Sequence, residues 1–212
     1  HIVKKLKNKN NDKIFFNNDY KITKKYKKKF LLNYKKEKLF FSKPKLLGDH
    51  QVENACTAII ATLKIREKGY HISNTNINRG ITKTQWAGRL EKGKLGKKII
   101  YLDGAHNIHG AEQILKYFKS KKLKLWLMLG MLNNKNIKGY LKKLKPILRG
   151  VIAIKIPGEK NSFFTHEIIE ICDELNINSL SQPNIKKANN FISQKIKTKY
   201  VLISGSLYLI GK

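Results

Sequence analysis

The spacing of hydrophobic residues changes part-way along this 212-residue chain, and the change predicts two regions of different build. In the first, Ile14–Phe16, Phe30–Tyr34 and Leu39–Phe41 are short apolar or aromatic runs set between Asn/Asp and Lys clusters, which predicts short strands of a small ribbon. Lys24–Lys29, broken only by Tyr26, predicts a solvated turn or edge. Val52, Ala55, Cys56, Ile59, Ile60 and Leu63 then recur at helical spacing, so a helix with one buried face is expected over Gln51–Glu67. Gly69–Gly80 is polar and Asn-rich and is expected to hold at most a short helix. Gly80–Trp86 reads as a connector, which places a domain boundary between residues 82 and 83.

From Lys97 onward the pattern becomes regular. Strands are predicted at Ile99–Leu102, Leu123–Gly130, Val151–Ile156 and Tyr200–Ser204. Helices are predicted at Gly110–Lys119, Ile137–Leu144, Thr165–Leu175 and Asn184–Ile196, with Thr165 as N-cap and Glu167 in the first turn of the third. Strands and helices alternating at this length predict an α/β fold with a mostly parallel sheet covered on both faces.

In such a sheet, ligands bind beyond the carboxyl ends of the strands. Four segments fall there: Asp103–Asn107, Gly130–Lys135, Pro157–Lys160 and Ser204–Ser206. Their glycines are expected to let the backbone approach a ligand, and their Asp, His, Asn, Lys and Ser to supply polar handles.

Composition changes the picture in one respect. The formal net charge of +31 invites a nucleic-acid partner. Yet only four of the 45 basic residues are arginine (Arg66, Arg79, Arg89, Arg149), and base-reading surfaces favour the arginine fork. Lys, Asn and Ile are over-used together, as A·T-rich codons produce, and the lysines are spread along the chain. Weak, salt-sensitive sticking to polyanions is expected, and no specific nucleic-acid partner. No apolar run is long enough to span a bilayer, and no signal-peptide pattern is visible, so no membrane partner and a cytoplasmic location are expected. Cys56 and Cys172 lack metal-ligand spacing and are expected to be buried, reduced thiols.

Four ordered motifs carry a resemblance. Leu47-Gly-Asp-His-Gln-Val-Glu-Asn-Ala55, Trp86-Ala-Gly-Arg-Leu-Glu91, Asp103-Gly-Ala-His-Asn-Ile-His-Gly110 and Ile203-Ser-Gly-Ser-Leu-Tyr208 look like the motifs of the folylpolyglutamate synthase/dihydrofolate synthase family, the folate branch of the Mur ligases. Gly130-Met-Leu and Ile156-Pro-Gly-Glu-Lys-Asn161 fit in the same order, so the resemblance covers about residues 45–212. It implies a Rossmann-like C-terminal domain over 83–212, preceded in 1–82 by the tail of a central ATPase domain. The activity it implies is ATP-dependent addition of L-glutamate to folate or dihydropteroate through an acyl phosphate, by an enzyme that is monomeric when full length.

The same resemblance implies roles for particular residues. Asn54 would bond the adenine, Arg89 would reach across an interdomain cleft to the ATP phosphates, and Asp103 would accept from the ribose hydroxyls. His106 would sit near nucleotide and glutamate, and Ser206 would help hold the glutamate. Arg89 and His106 are the expected catalytic pair. Each has a plainer alternative: Asn54 as a helix-end cap, Arg89 as an ion-pair partner, Asp103 as a turn residue, His106 as a loop histidine, Ser206 as a helix N-cap. Trp86 is expected to be a packing anchor rather than a stacking platform. Lys135 is flanked by Asn134 and Asn136, where the family has acids, which puts a role for that loop in doubt. No Gly-x-x-x-x-Gly-Lys-Ser/Thr occurs in the 212 residues, so the phosphate cradle and the Mg2+ ligands are expected upstream of this chain and no metal ligand within it. A basic nucleic-acid module or an inactive remnant is the alternative reading.

Overall fold

The computed structural model describes residues 14–211. The chain divides into two compact units: residues up to Lys45 with Gln51–Thr84, and Leu46–His50 with Gln85 onward.

The first unit is a three-stranded antiparallel sheet, β1 (Tyr20–Lys25), β2 (Lys29–Tyr34) and β3 (Glu37–Ser42), with two helices, α1 (His50–Glu67) and α2 (Asn74–Lys83). Alternation in β2 buries Phe30, Leu32 and Tyr34 on one face, against Cys56, Ile59, Ile60 and Leu63 of α1. The strands differ from expectation at the start, where Ile14–Phe16 forms only a single bridge from Phe16 to Tyr20; of the Lys-rich run expected to be a turn or edge, Lys24 and Lys25 end the edge strand β1 and Lys29 begins β2. Helix α2 runs well past the short element expected and takes up most of the supposed connector. Ile77 and Ile81, one turn apart, are its buried stripe, Ser73 Oγ caps it by accepting from Asn76 N–H, and Asn78 Oδ1 accepts from Ser42 N–H of β3 at 2.8 Å.

Glu67 ends α1 and ties it to the sheet. Its carboxylate accepts from Lys35 Nζ at 2.7 Å, Tyr34 Oη at 3.2 Å and Lys64 Nζ at 3.1 Å. The Lys35 and Lys64 hydrogen bonds draw its pKa down from 4.5 to about 2. A depressed carboxyl contributes stability that is present above its unfolded value and lost as pH falls towards the folded one. The melting-temperature difference between wild type and Glu67→Gln is therefore expected to be constant above about pH 5, to shrink as pH falls from there to about 2, and to vanish below it. A difference that stays unchanged down to pH 2 would show that these contacts do not hold the helix end.

The second unit is a six-stranded sheet in the order β4-β5-β9-β6-β7-β8: β4 (Glu91–Leu95), β5 (Lys98–Asp103), β6 (Leu125–Leu129), β7 (Leu148–Ala153), β8 (Ser179–Ser181) and β9 (Tyr200–Ser204). All neighbours are parallel except β4, which turns back antiparallel along β5. The connections are α3 (Ile108–Ser120), α4 (Ile137–Leu144) with a short 3-10 turn, α5 (Thr165–Glu174) and α6 (Ile185–Gln194), and α7 (Leu207–Ile210) follows β9. Alternate residues of the central strands serve two cores. Leu127, Leu129, Val151, Ala153 and Leu202 pack with α3, α4 and α5, while Met128, Ile152 and Val201 pack with α6 and α7. This is the doubly covered, mostly parallel α/β sheet that the alternation predicts.

Most limits moved by one or two residues, and two elements differ in more than that. The predicted strand Val151–Ile156 runs instead over Leu148–Ala153, because Gly150, Val151, Ile152 and Ala153 pair with β6 and the chain leaves the sheet at Ile154. Thr165 is the first residue of α5 rather than its cap; Phe164 holds the cap position, and its N–H donates to Glu167 Oε2 at 2.6 Å. Cys56 and Cys172 are free, buried thiols, raised by burial to about 12 and about 11. Among the described residues no helix is long and apolar enough to cross a membrane.

Candidate functional site

Strand order decides where the loops meet. The chain goes from β5 to β6, outward to β7 and β8, and then returns to insert β9 between β5 and β6. That return is a topological switch point, and the carboxyl ends of β5, β9 and β6 lie side by side there. The Asp103–Asn107 loop, the Gly205-Ser206 turn and the Gly130 loop are thereby brought together.

Asp103 is the hub. It ends β5, is only 8% exposed, and its two carboxylate oxygens accept from different segments: Oδ1 from Ala105 N–H at 2.8 Å and Oδ2 from Leu90 N–H at 2.9 Å. Burial raises its pKa above the ordinary 3.8, against the pull of those two N–H groups and of the Arg89 charge. A second bond, Gly104 N–H to Gly88 O at 2.9 Å, runs alongside. The Gly88-Arg89-Leu90 turn is thus clasped to the β5 loop, and it is an unusual turn, with Gly88 at φ 69° and Leu90 at φ 48°. Gly88 N–H also donates to Glu91 Oε2 at 3.0 Å. Arg89 itself is exposed and makes no hydrogen bond or ion pair with another described residue.

His106 is half-buried on the same loop. Its Nδ1 lies 3.0 Å from Gly104 O, a pairing that requires the proton on Nδ1 and leaves the Nε2 lone pair unused. Asn107 caps α3 by accepting from Gly110 N–H, and Asn136 caps α4 by accepting from Gly139 N–H. Lys135 is half-buried in the turn before α4. Ser206 is buried and caps α7, its Oγ accepting from Tyr208 N–H at 3.1 Å. Asn54 belongs to the other unit, exposed on the first turn of α1, where its Nδ2 donates to Gln51 Oε1.

Beneath the loops lies a buried network that the sequence reading missed. Ser204 Oγ donates to Asp103 O at 2.5 Å, which leaves Tyr140 Oη as the donor in the 2.8 Å contact between the two hydroxyls. Tyr140 is fully buried on α4, and burial pushes its phenol well above the ordinary value of 10.0. A signal was available: Tyr140 falls on the same face as Ile137, Leu141 and Leu144, and a phenol on an apolar face needs a polar partner.

Two expectations change. Of the glycines in the four segments, Gly158 has open space where a Cβ would stand, but Gly104, Gly130 and Gly205 do not. A Cβ at Gly205 would meet Gly130 O at 2.5 Å, one at Gly104 would meet Leu207 Cδ2 at 2.3 Å, and one at Gly130 would meet Ile154 O at 3.0 Å. They let the loops pack on one another. Trp86 is no packing anchor within this chain, being 62% exposed.

A family model described as dihydrofolate synthetase, C-terminal domain, matches residues 89–212, more than half of the chain. The chain belongs to this family. It is 28% identical over 171 residues to the dihydrofolate synthase/folylpolyglutamate synthase of Bacillus subtilis, covering 78% of this chain and 39% of that protein. Among solved structures, E. coli FolC in complex with DHPP and ADP superposes with a TM-score of 0.77 at 23% identity, over 92% of this chain and 45% of the other. A bifunctional folylpolyglutamate synthase/dihydrofolate synthase with Mn, AMPPNP and L-glutamate bound gives 0.73 at 18% identity, over 92% and 45%. These two likenesses are of fold. The chain spans less than half the length of each relative, and the family match falls within the second unit.

Proposed function

We propose that this chain is the C-terminal part of an ATP-dependent ligase that joins L-glutamate to the carboxylate of a folate or dihydropteroate. The observation that carries the reading is the clasp of Asp103 on Leu90, which ties the turn carrying Arg89 to the loop carrying His106, within the stretch matched to a dihydrofolate synthetase domain. ATP, when bound, supplies the phosphoryl group that activates the substrate carboxylate as an acyl phosphate. Arg89 holds phosphoryl oxygens, a task suited to a fork that is always charged. His106 Nε2 takes the proton that the glutamate amine releases as its nitrogen attacks the acyl carbon and phosphate leaves. Asp103 uses the second lone pairs of its oxygens for the ribose hydroxyls. Ser206, accepting from Tyr208 N–H, keeps its own hydroxyl proton to donate to the glutamate. The adenine role of Asn54 rests on its motif alone. Among the described residues no group of three or more His, Cys, Asp or Glu is placed to hold a metal ion.

A chimera tests the proposal, with residues 85–212 replacing the matching stretch of the Bacillus subtilis synthase. Glutamate addition is expected, and Arg89→Ala within the chimera is expected to lower kcat by about 10²–10³-fold with an unchanged melting temperature. A folded Arg89→Ala chimera working at full rate would remove this residue from the site.

A further inference from the structure

The other edge of the second unit's sheet carries a different feature. Where β6, β7 and β9 begin, Lys122, Leu123, Lys124, Arg149, Lys197, Thr198, Lys199 and Tyr200 line a basin of about 460 Å³, within the usual range for small-ligand sites. Five of these side chains are cationic and none is acidic. They come from three separate segments, the turns that follow α3 and α6 and the start of β7. We propose that this basin binds a compact anion bearing several phosphates.

Three observations support it. First, lysines with a structural task near helix ends look different: Lys98 Nζ donates to Ile196 O just beyond α6, and Lys145 Nζ donates to Leu175 O at the end of α5. None of the five basin cations donates a side-chain hydrogen bond or forms an ion pair with another described residue. Second, helix dipoles do not balance them. Two helix carboxyl ends supply roughly half a negative charge each, about −1 in all, against five full positive charges. Like charges focused in one concavity raise the local concentration of an anion. Third, four of the five are lysines, compact point charges that serve phosphate well, and Thr198 and Tyr200 add hydroxyl donors. The cationic residues all line one open concavity, which fits a compact anion better than an extended backbone. The basin stands on the sheet edge opposite Asp103, so its occupancy is independent of the ligase reading.

Calorimetric titration of the whole chain with inorganic tripolyphosphate, at about 0.15 M salt to screen scattered surface charge, tests the assignment. One saturable site is expected, with amide NMR shifts concentrated at Leu123, Thr198 and Tyr200. The triple variant Lys122→Gln/Arg149→Gln/Lys199→Gln is expected to weaken binding about tenfold or more. A control of equal charge change on the other unit, Lys27→Gln/Lys28→Gln/Lys36→Gln, is expected to weaken it less than about twofold. Melting curves of both variants verify folding, which exposed Lys-to-Gln changes leave intact. Equal weakening by the two variants would mean that net charge alone binds the anion and would overturn the proposal. So would the absence of a saturable site, citrate binding as tightly as tripolyphosphate, or a short DNA duplex competing for the basin with higher affinity.

Discussion

Purified residues 1–212 are expected to form no glutamyl amide bond from ATP, L-glutamate and either folate or dihydropteroate. Phosphoryl transfer to a carboxylate needs a cradle of backbone N–H groups around the β- and γ-phosphates and a metal bridging them. The chain contains no Gly-x-x-x-x-Gly-Lys-Ser/Thr, and its described residues contain no cluster of metal-ligating side chains. What the carboxyl edge of the sheet offers instead is one free guanidinium, one imidazole lone pair and a few hydroxyl and carboxylate positions. Under the proposed reading such groups would orient a nucleotide and a glutamate once the phosphates are held, and would not replace the hold. The same reasoning predicts feeble ATP binding. The check is a glutamate-incorporation assay on chain made in a host lacking its own folate ligase. Turnover above the enzyme-free rate would show that the phosphate site lies within these residues after all.

Asp103→Ala is expected to destabilise the second unit by about 2–6 kcal/mol, because it leaves two buried N–H donors, those of Leu90 and Ala105, without acceptors, each costing about 1–3 kcal/mol. Asparagine is not a mild substitute here. Both carboxylate oxygens accept from N–H groups, and an amide replaces one acceptor by a donor that would face a donor. Asp103→Asn is therefore expected to recover only one of the two bonds, about half of the loss. Urea unfolding followed by Trp126 fluorescence in a Trp86→Phe background reads the second unit directly, since Trp126 lies in β6. Wild-type midpoints for both variants would show that solvent satisfies the two donors, and that Asp103 serves ligand binding alone. A large loss would show instead that the aspartate first builds the turn that presents Arg89.

These two predictions draw on different sources. The first was available from the sequence, because a phosphate cradle is a local motif whose absence is visible as text. The second was not. Asp103 and Leu90 are thirteen residues apart, and only the sheet shows that a side chain in one motif holds the backbone of the other.

Local periodicity specified the elements that bury a face. Helix α4 and strand β9 have the predicted limits because Ile137, Tyr140, Leu141 and Leu144 recur at helical spacing and Val201 and Leu202 sit in a short apolar run between polar ends. Strands β4 and β8 were invisible for the converse reason. Glu91-Lys-Gly-Lys-Leu95 is exposed at its first four positions, and Ser179–Ser181 is a three-residue edge, so pairing with a neighbour holds them rather than any hydrophobic pattern. Likewise α2 carries just two buried isoleucines in an Asn-rich stretch of low helix propensity, and its packing near β3 supplies what propensity lacks. The motifs named the residues of the candidate site and their family. Only the tertiary structure decided what those residues are free to do: Asp103 has committed one lone pair on each oxygen, Ser206 has become a cap, Gly104, Gly130 and Gly205 are packed against neighbouring segments, and the Arg89 side chain is left without a hydrogen-bond or ion-pair partner among the described residues. Spacing along a chain can place a side chain on an element, but which of its hydrogen bonds are already spent depends on groups brought beside it by the fold.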